Sequence, residues 1–148
     1  MKISNNKLVS IIYSIYEESN LLEKSDNPVS FIFGKETNLL PIVENSLKNR
    51  EKGDEVSIEV SPNLGFGEID KNLIFSDKRQ NVPEEYAKTG LEIDFANDKG
   101  DKRKFRVTNI NDSVITFDGN HPFAGKILVY KIKIIDVVNT EAVTEWLN

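Results

Sequence analysis

Apolar residues recur along the chain with two different periods. Between residues 8 and 17 the period is two: Val9, Ile11, Tyr13 and Ile15 alternate with Leu8, Ser10, Ile12, Ser14 and Tyr16, as in a strand with one face turned to a core. The first face is uniformly apolar, which predicts that Tyr13 points inward with its ring over the core. Val56, Ile58 and Val60 alternate with Ser57 and Glu59. Near the end, Leu128, Tyr130, Ile132 and Ile134 alternate with Val129, Lys131, Lys133 and Ile135. Two tyrosines, Tyr13 and Tyr130, are thus expected on buried faces of strands far apart in sequence. The other period is near four. In residues 38–54, Leu39, Val43 and Leu47 form a helical stripe that Leu40 broadens. Pro41 suits the first turn, Lys48 and Arg50 fall near the end, and Gly53 reads as the stop. One amphipathic helix among antiparallel strands predicts an α+β fold, the sheet packing its apolar face on the helix.

Residues 70–104 break this regularity. Charges of both signs crowd the stretch, and its apolar residues are sparse: Leu73, Ile74, Phe75, Val82, Tyr86, Leu91, Ile93 and Phe95. Residues 105–107 and 114–117 follow as strand-like runs joined by Asn111-Asp112-Ser113, a turn sequence. The pattern predicts a small, mostly β unit inserted between two halves of another domain. Residues 140–147 read as a terminal helical turn capped by Thr140, with Trp146 packing back.

Composition removes function classes. The chain has 148 residues, 39% hydrophobic and 29% charged, with 8 Gly, 5 Pro and no Cys. It is too apolar for disorder, and no window approaches the roughly 20 apolar residues that cross a bilayer. Without cysteine there is no disulfide, thiol nucleophile or thiolate metal site. A net charge of −5 repels phosphate backbones, so no nucleic-acid partner is expected. Ser10 and Ser14 interrupt the N-terminal apolar run and Tyr16-Glu17-Glu18 replaces any cleavage site, which predicts a cytoplasmic protein with no membrane partner.

The common catalytic pairings are absent too. His121 is the single histidine, and no Gly-x-Ser-x-Gly elbow presents a serine. His121 reads as a structural hydrogen-bonder, and no metal or cofactor is expected. Gly65-Phe66-Gly67 follows a strand but lacks the third glycine of a dinucleotide site, so it reads as a tight turn presenting Phe66. Lys102-Arg103-Lys104, beside Asp98 and Asp101, reads as a solvated hairpin tip. Rotation about an X–Pro bond, however, needs no ionisable group. Its barrier of about 18–20 kcal/mol comes from amide resonance, which is lost in the twisted transition state. The twisted carbonyl is less polar, so a dry apolar pocket favours it over the planar form.

Three stretches resemble the FKBP-type peptidyl-prolyl isomerases, specifically their SlyD-like branch. They are Tyr13 followed by Leu21-Leu22-Glu23-Lys24-Ser25, residues 34–74, and residues 118–137 with the run Asp-Gly-Asn-His-Pro-Phe-Ala-Gly-Lys. The resemblance implies an antiparallel sheet curled around one short helix, formed by residues 1–69 and 120–148. It implies that residues 70–119 are an insert-in-flap domain that captures unfolded chains. Tyr13 and Tyr130 match the aromatic walls of the prolyl pocket. Leu39 and Leu40 match its helix entry, the Leu40 N–H holding a substrate carbonyl, and Val43 matches its floor. Leu22, Val29, Phe31 and Phe123 match further lining positions.

Two positions depart from the family pattern. Glu23 stands where the family has Asp, and Phe66 where it has a Tyr whose hydroxyl bonds the substrate's amide oxygen. Losing one such bond typically costs about 0.5–1.5 kcal/mol, roughly a factor of two to twelve in rate, so reduced turnover is expected. The chain carries no His- and Cys-rich tail, so no metal role is carried over. Ordinary core packing stands as the alternative for both tyrosines, and a solvated carboxylate for Glu23. Val82, Tyr86, Leu91, Ile93 and Phe95 form either the insert's core or a surface for unfolded segments. The resemblance implies an isomerase that also acts as a folding chaperone, with unfolded or proline-containing polypeptides, and macrolides, as ligands of a monomer. The alternative is a holdase whose altered pocket binds proline segments with little or no turnover.

Overall fold

The computed structural model describes residues 1–35 and 37–140. In chain order the elements are β1 (Lys7–Glu17), β2 (Asn20–Lys24), β3 (Val29–Ile32), α1 (Pro41–Ser46), β4 (Glu55–Val60), β5 (Ile74–Lys78), β6 (Glu92–Ala96), β7 (Lys102–Ile110), β8 (Val114–Asp118) and β9 (Leu128–Asn139). The chain divides into two compact units: residues 1–67 with the chain from Gly125 on, and residues 68–124.

In the first unit an antiparallel five-stranded sheet runs in the order β2-β1-β9-β4, with β3 paired to the early part of β1. The expected alternation holds: Val9, Ile11, Ile15, Val56, Val60, Leu128, Ile132 and Ile134 are all buried. β9 changes phase once. Ser10 pairs with Asp136 and Ile11 with Ile134, so Ile135 is an extra residue, and the next buried side chain is Val137. Such a bulge lets a long strand bend around its core. α1 packs against β4, with Val43 and the C-cap residue Leu47 fully buried.

Pro41 opens α1 as expected, but the helix ends earlier than its apolar stripe suggests. Ser46 Oγ donates back to the Val43 carbonyl, and Asn49 adopts a φ of 67°. The N-terminal segment then supplies partners: the Ile3 N–H donates to the Arg50 carbonyl at 2.7 Å, and the Asn49 N–H donates to the Ile3 carbonyl at 2.9 Å. Gly53, expected as the helix stop, instead turns the chain into β4, its N–H donating to the Ile134 carbonyl.

The second unit is an antiparallel four-stranded sheet in the order β5-β8-β7-β6. Its core is small: Val107, Ile115 and Phe117 are buried, with Val82, Ala87, Leu91, Ile93, Phe105 and Ile110 packed on them. Phe75 and Phe95 lie on the two outer strands, yet their ring centroids are 5.9 Å apart. The sheet must therefore curl until its edges face each other. Asn111 Oδ1 accepts from the N–H groups of Ser113 and Val114 at 2.8 Å each, fixing the expected turn. Lys102-Arg103-Lys104 lies within β7 rather than at the hairpin tip, which is built by Asn97 accepting from Lys99 and Asp101. The resemblance implies boundaries at 69/70 and 119/120, whereas the units part at 67/68 and 124/125. Asn120 ties the base of the second unit, accepting from the Asp70 N–H and donating to the Asp70 carbonyl. The expected helical turn with Trp146 lies outside the described residues. No helix among them is long and apolar enough to cross a membrane, and no group of three or more His, Asp or Glu among them could hold a metal ion.

Candidate functional site

The inward face of the first sheet carries its polar chemistry in two adjacent rows. In one, Ile15 pairs with Glu23 on β2 and with Tyr130 on β9, and Tyr130 pairs in turn with Ile58 on β4. In the next, Tyr13 pairs with Ile132. Directly paired residues share a face with Cβ atoms roughly 5 Å apart, so Tyr13, Glu23 and Tyr130 converge.

A second bulge brings Glu23 there. Tyr16 pairs with Leu21 and Ile15 with Glu23, leaving Leu22 unpaired and shifting the alternation of β2 by one. Ser25 then pins the backbone of Tyr13: its Oγ accepts from the Tyr13 N–H at 2.9 Å, and its own N–H donates to the Tyr13 carbonyl at 2.9 Å. The Tyr13 hydroxyl donates to Glu23 Oε2 at 3.0 Å. Burial raises the Tyr13 phenol above its ordinary value of 10.0, and the hydrogen bond to Glu23 and its charge raise it further. Tyr130 is pushed up to about 12, by burial first, then by the charge of Glu23, then by that of Tyr13 once it is a phenolate. Both phenols are therefore neutral donors at physiological pH.

The two tyrosines differ in burial. Tyr130 is only 5% exposed. Tyr13, expected to be buried, is half-buried, because its outer edge meets a carboxylate that stays in water. Phe31 pairs with Val9 and Val29 with Ile11, placing both on the same face; Phe31 is half-buried and Val29 40% exposed. Leu22 and Leu39 are half-buried, and Leu40 is the N-cap residue of α1. The Leu40 N–H has no hydrogen-bond partner among the described residues. Val43 is fully buried. Phe66 rides on the turn Pro62–Leu64 and the two glycines that follow, where the N–H groups of Gly65 and Gly67 both donate to the Pro62 carbonyl. Phe123 belongs to the second unit, where its N–H donates to His121 Nδ1 at 2.9 Å and the two rings meet edge to face. His121 thus acts as a structural acceptor.

In the second unit, Val82, Leu91 and Ile93 pack on the core, while Tyr86 and Phe95 are 38% and 36% exposed. Phe95 belongs to a ring cluster with Phe75, Phe105 and Phe117. Phe75 is 41% exposed and extends that apolar face. Reading the stretch as a sparse row of hydrophobics leaves Phe75 and Phe105 outside the candidate set. Their signal is the alternation within β5 and β7, which short charged strands obscure. Ser25 and Ile58 are likewise absent from it, since each serves the site through backbone or row position. A groove of about 690 Å³ opens on the same strands, but its wall includes Ile12, Ser14, Lys131 and Lys133, which alternate with the site residues. Tyr13, Val56 and Ile132 share that wall with the charged Lys24, Glu55, Lys131 and Lys133.

No protein-family model matches the chain. It is similar over 93% of its length to the FKBP-type peptidyl-prolyl cis-trans isomerase SlyD of Treponema pallidum (strain Nichols), at 31% identity over 141 residues and 79% of that protein. The SlyD protein of Escherichia coli (strain K12) is 26% identical over 147 residues, covering 93% of this chain and 71% of that one. That of Pasteurella multocida (strain Pm70) is 26% identical over 144 residues, covering 91% and 69%. Among solved structures, FkpA from Escherichia coli is similar with a TM-score of 0.46 and 15% identity, over 93% of this chain and 43% of that chain.

Proposed function

The chain belongs to the FKBP-type peptidyl-prolyl cis-trans isomerases of the SlyD kind, and from that membership we propose that the face bearing Tyr13, Glu23 and Tyr130 is where it turns X–Pro bonds. The observation that carries this reading is the convergence of two neutral phenols and one carboxylate on an otherwise hydrocarbon face, with Tyr13 donating to Glu23 at 3.0 Å.

The chemistry asked of the site is modest. An X–Pro bond flips unaided in tens to hundreds of seconds. Rings and aliphatic side chains withdraw the amide from water, which disfavours the planar, resonance-polarised form relative to the twisted one. Val29, Phe31, Leu22 and Leu39 extend the apolar lining, and the Leu40 N–H, without a partner among the described residues, suits an incoming carbonyl. Phe66 adds a ring but no hydroxyl. The Tyr13–Glu23 pair keeps that edge of the site polar and fixed.

The second unit serves as the capture domain. Its half-exposed Phe75, Tyr86 and Phe95 offer apolar surface to unfolded chains, as expected where a small core leaves hydrophobic area uncovered. In this reading it acts in the cytoplasm as a monomer on unfolded and proline-containing polypeptides, and a macrolide would occupy the same apolar face. Turnover of an X–Pro tetrapeptide, followed by conformer-selective proteolysis, tests the site. Wild type is expected to exceed the buffer rate, and Glu23→Leu with Tyr13→Phe to fall well below wild type. A folded wild type that binds proline peptides but never exceeds buffer establishes the holdase instead.

A further inference from the structure

A substrate amide that enters an apolar face leaves its water behind, and its carbonyl oxygen then needs a donor from the protein. Besides the backbone N–H of Leu40 at the helix entry, the side-chain donors on this face can be counted. The Tyr13 hydroxyl is committed to Glu23. Phe66 has none to give. Glu23, ionised, is acceptor-only. Tyr130 stands apart from these. The residue as a whole is 5% exposed and sits in the row between Ile15 and Ile58, yet its hydroxyl has no hydrogen-bond partner among the described residues. Nor is that oxygen sealed in: among the described residues no buried side-chain oxygen or nitrogen lacks a partner. An unpaired phenol oxygen on a buried ring must therefore open onto accessible space. It opens on the face it shares with Glu23 and Tyr13, since Glu23 and Tyr130 flank Ile15 in one row and Tyr13 stands in the next.

Resting on the isomerase reading above, we propose that the Tyr130 hydroxyl donates the hydrogen bond that holds the substrate's amide oxygen during X–Pro rotation, a task the Phe66 turn cannot perform in this chain. The ring desolvates the amide and the hydroxyl orients it. A phenol without a partner among the described residues contributes no hydrogen bond to the structure they form. It is good recognition, because the incoming carbonyl completes it.

The test pairs an enzyme change with a substrate change. Wild type and Tyr130→Phe are assayed on an X–Pro tetrapeptide and on its thioxo analogue, in which sulfur replaces the carbonyl oxygen before proline. Each rate is referred to that peptide's own uncatalysed rate. Tyr130→Phe should lower kcat/KM on the oxo peptide by roughly two- to twelvefold. Wild type should discriminate against the weaker acceptor, and Tyr130→Phe should lose most of that discrimination. Its melting temperature should be unchanged or higher, since no internal bond is removed. Equal turnover by wild type and variant overturns the proposal while leaving the isomerase reading intact. So does a loss accompanied by a lower melting temperature and undiminished oxo/thioxo discrimination, which marks the hydroxyl as structural. A folded wild type with no rate above buffer on either peptide removes the isomerase reading, and the proposal with it.

Discussion

The carboxylate of Glu23 raises the phenols of both Tyr13 and Tyr130, and burial raises them more. A phenol whose pKa is higher in the folded chain than the ordinary value near 10 favours folding only while it is protonated. The contribution of Tyr130 is thus fully present below about pH 10 and is lost as pH climbs through its folded value of about 12. Stability measured by denaturant midpoint should bend downward above about pH 10. Tyr130→Phe should show a shallower descent over the same window. Parallel curves for the two proteins would mean that the hydroxyl is as well solvated in the fold as out of it. Both tyrosines are legible in the sequence because a two-residue period survives across β1 and the first part of β9. Glu23 is invisible to that period. The bulge at Leu22 moves it onto the inward face, and only the likeness of the surrounding motif marks it.

Elements deviate from simple periodicity where a neighbouring segment outbids local propensity. The stripe Leu39, Val43 and Leu47 identifies α1, but its end is set by Ile3, a residue more than forty positions away whose backbone takes over the bonding of Asn49 and Arg50. The Ile135 bulge in β9 is similarly silent, since the run of apolar residues continues straight through it. In the second unit, short strands with charged faces hide the pairing that assembles four phenylalanine rings. Gly119 is part of that assembly. A Cβ there would lie 2.7 Å from Phe105 Cε2 and 2.9 Å from Cζ. The Phe105 ring cannot simply retreat, because its centroid is 5.3 Å from that of Phe75 and 5.4 Å from that of Phe95. Gly119→Ala should therefore destabilise the second unit by about 1–3 kcal/mol, the usual cost of overpacking. The expected signs are a lower melting transition and stronger binding of an apolar dye, with tetrapeptide turnover retained. An unchanged transition would show the ring cluster to be loosely packed.

At the scale of the whole molecule, one chain leaves a domain, builds another and returns. The structure records how closely the exit and the re-entry lie: the Gly125 N–H donates to the Gly67 carbonyl at 2.7 Å. Both residues are glycines with positive φ, 81° and 76°, so the backbone there tolerates a reversal. Residues 68–124 can accordingly be replaced by a linker of a few residues without stretching β4 or β9. The first unit keeps its sheet, α1 and its buried core in such a chain, and should unfold cooperatively. Tyr13, Glu23, Tyr130 and Phe66 all remain, so tetrapeptide turnover should stay within a few-fold of the intact protein. Refolding of a protein limited by X–Pro isomerisation should respond differently. Two tethered binding sites raise the effective concentration of a captured chain at the second, and losing the tether typically forfeits up to about 10²-fold or more. Refolding acceleration should fall by a large part of that factor, together with the ability to suppress aggregation. If a folded, excised chain loses tetrapeptide turnover, the first unit alone does not suffice for the reaction. If refolding acceleration survives excision undiminished, the half-exposed rings of Phe75 and Phe95 have no part in capture, and the apolar face of the first unit must bind unfolded chains unaided.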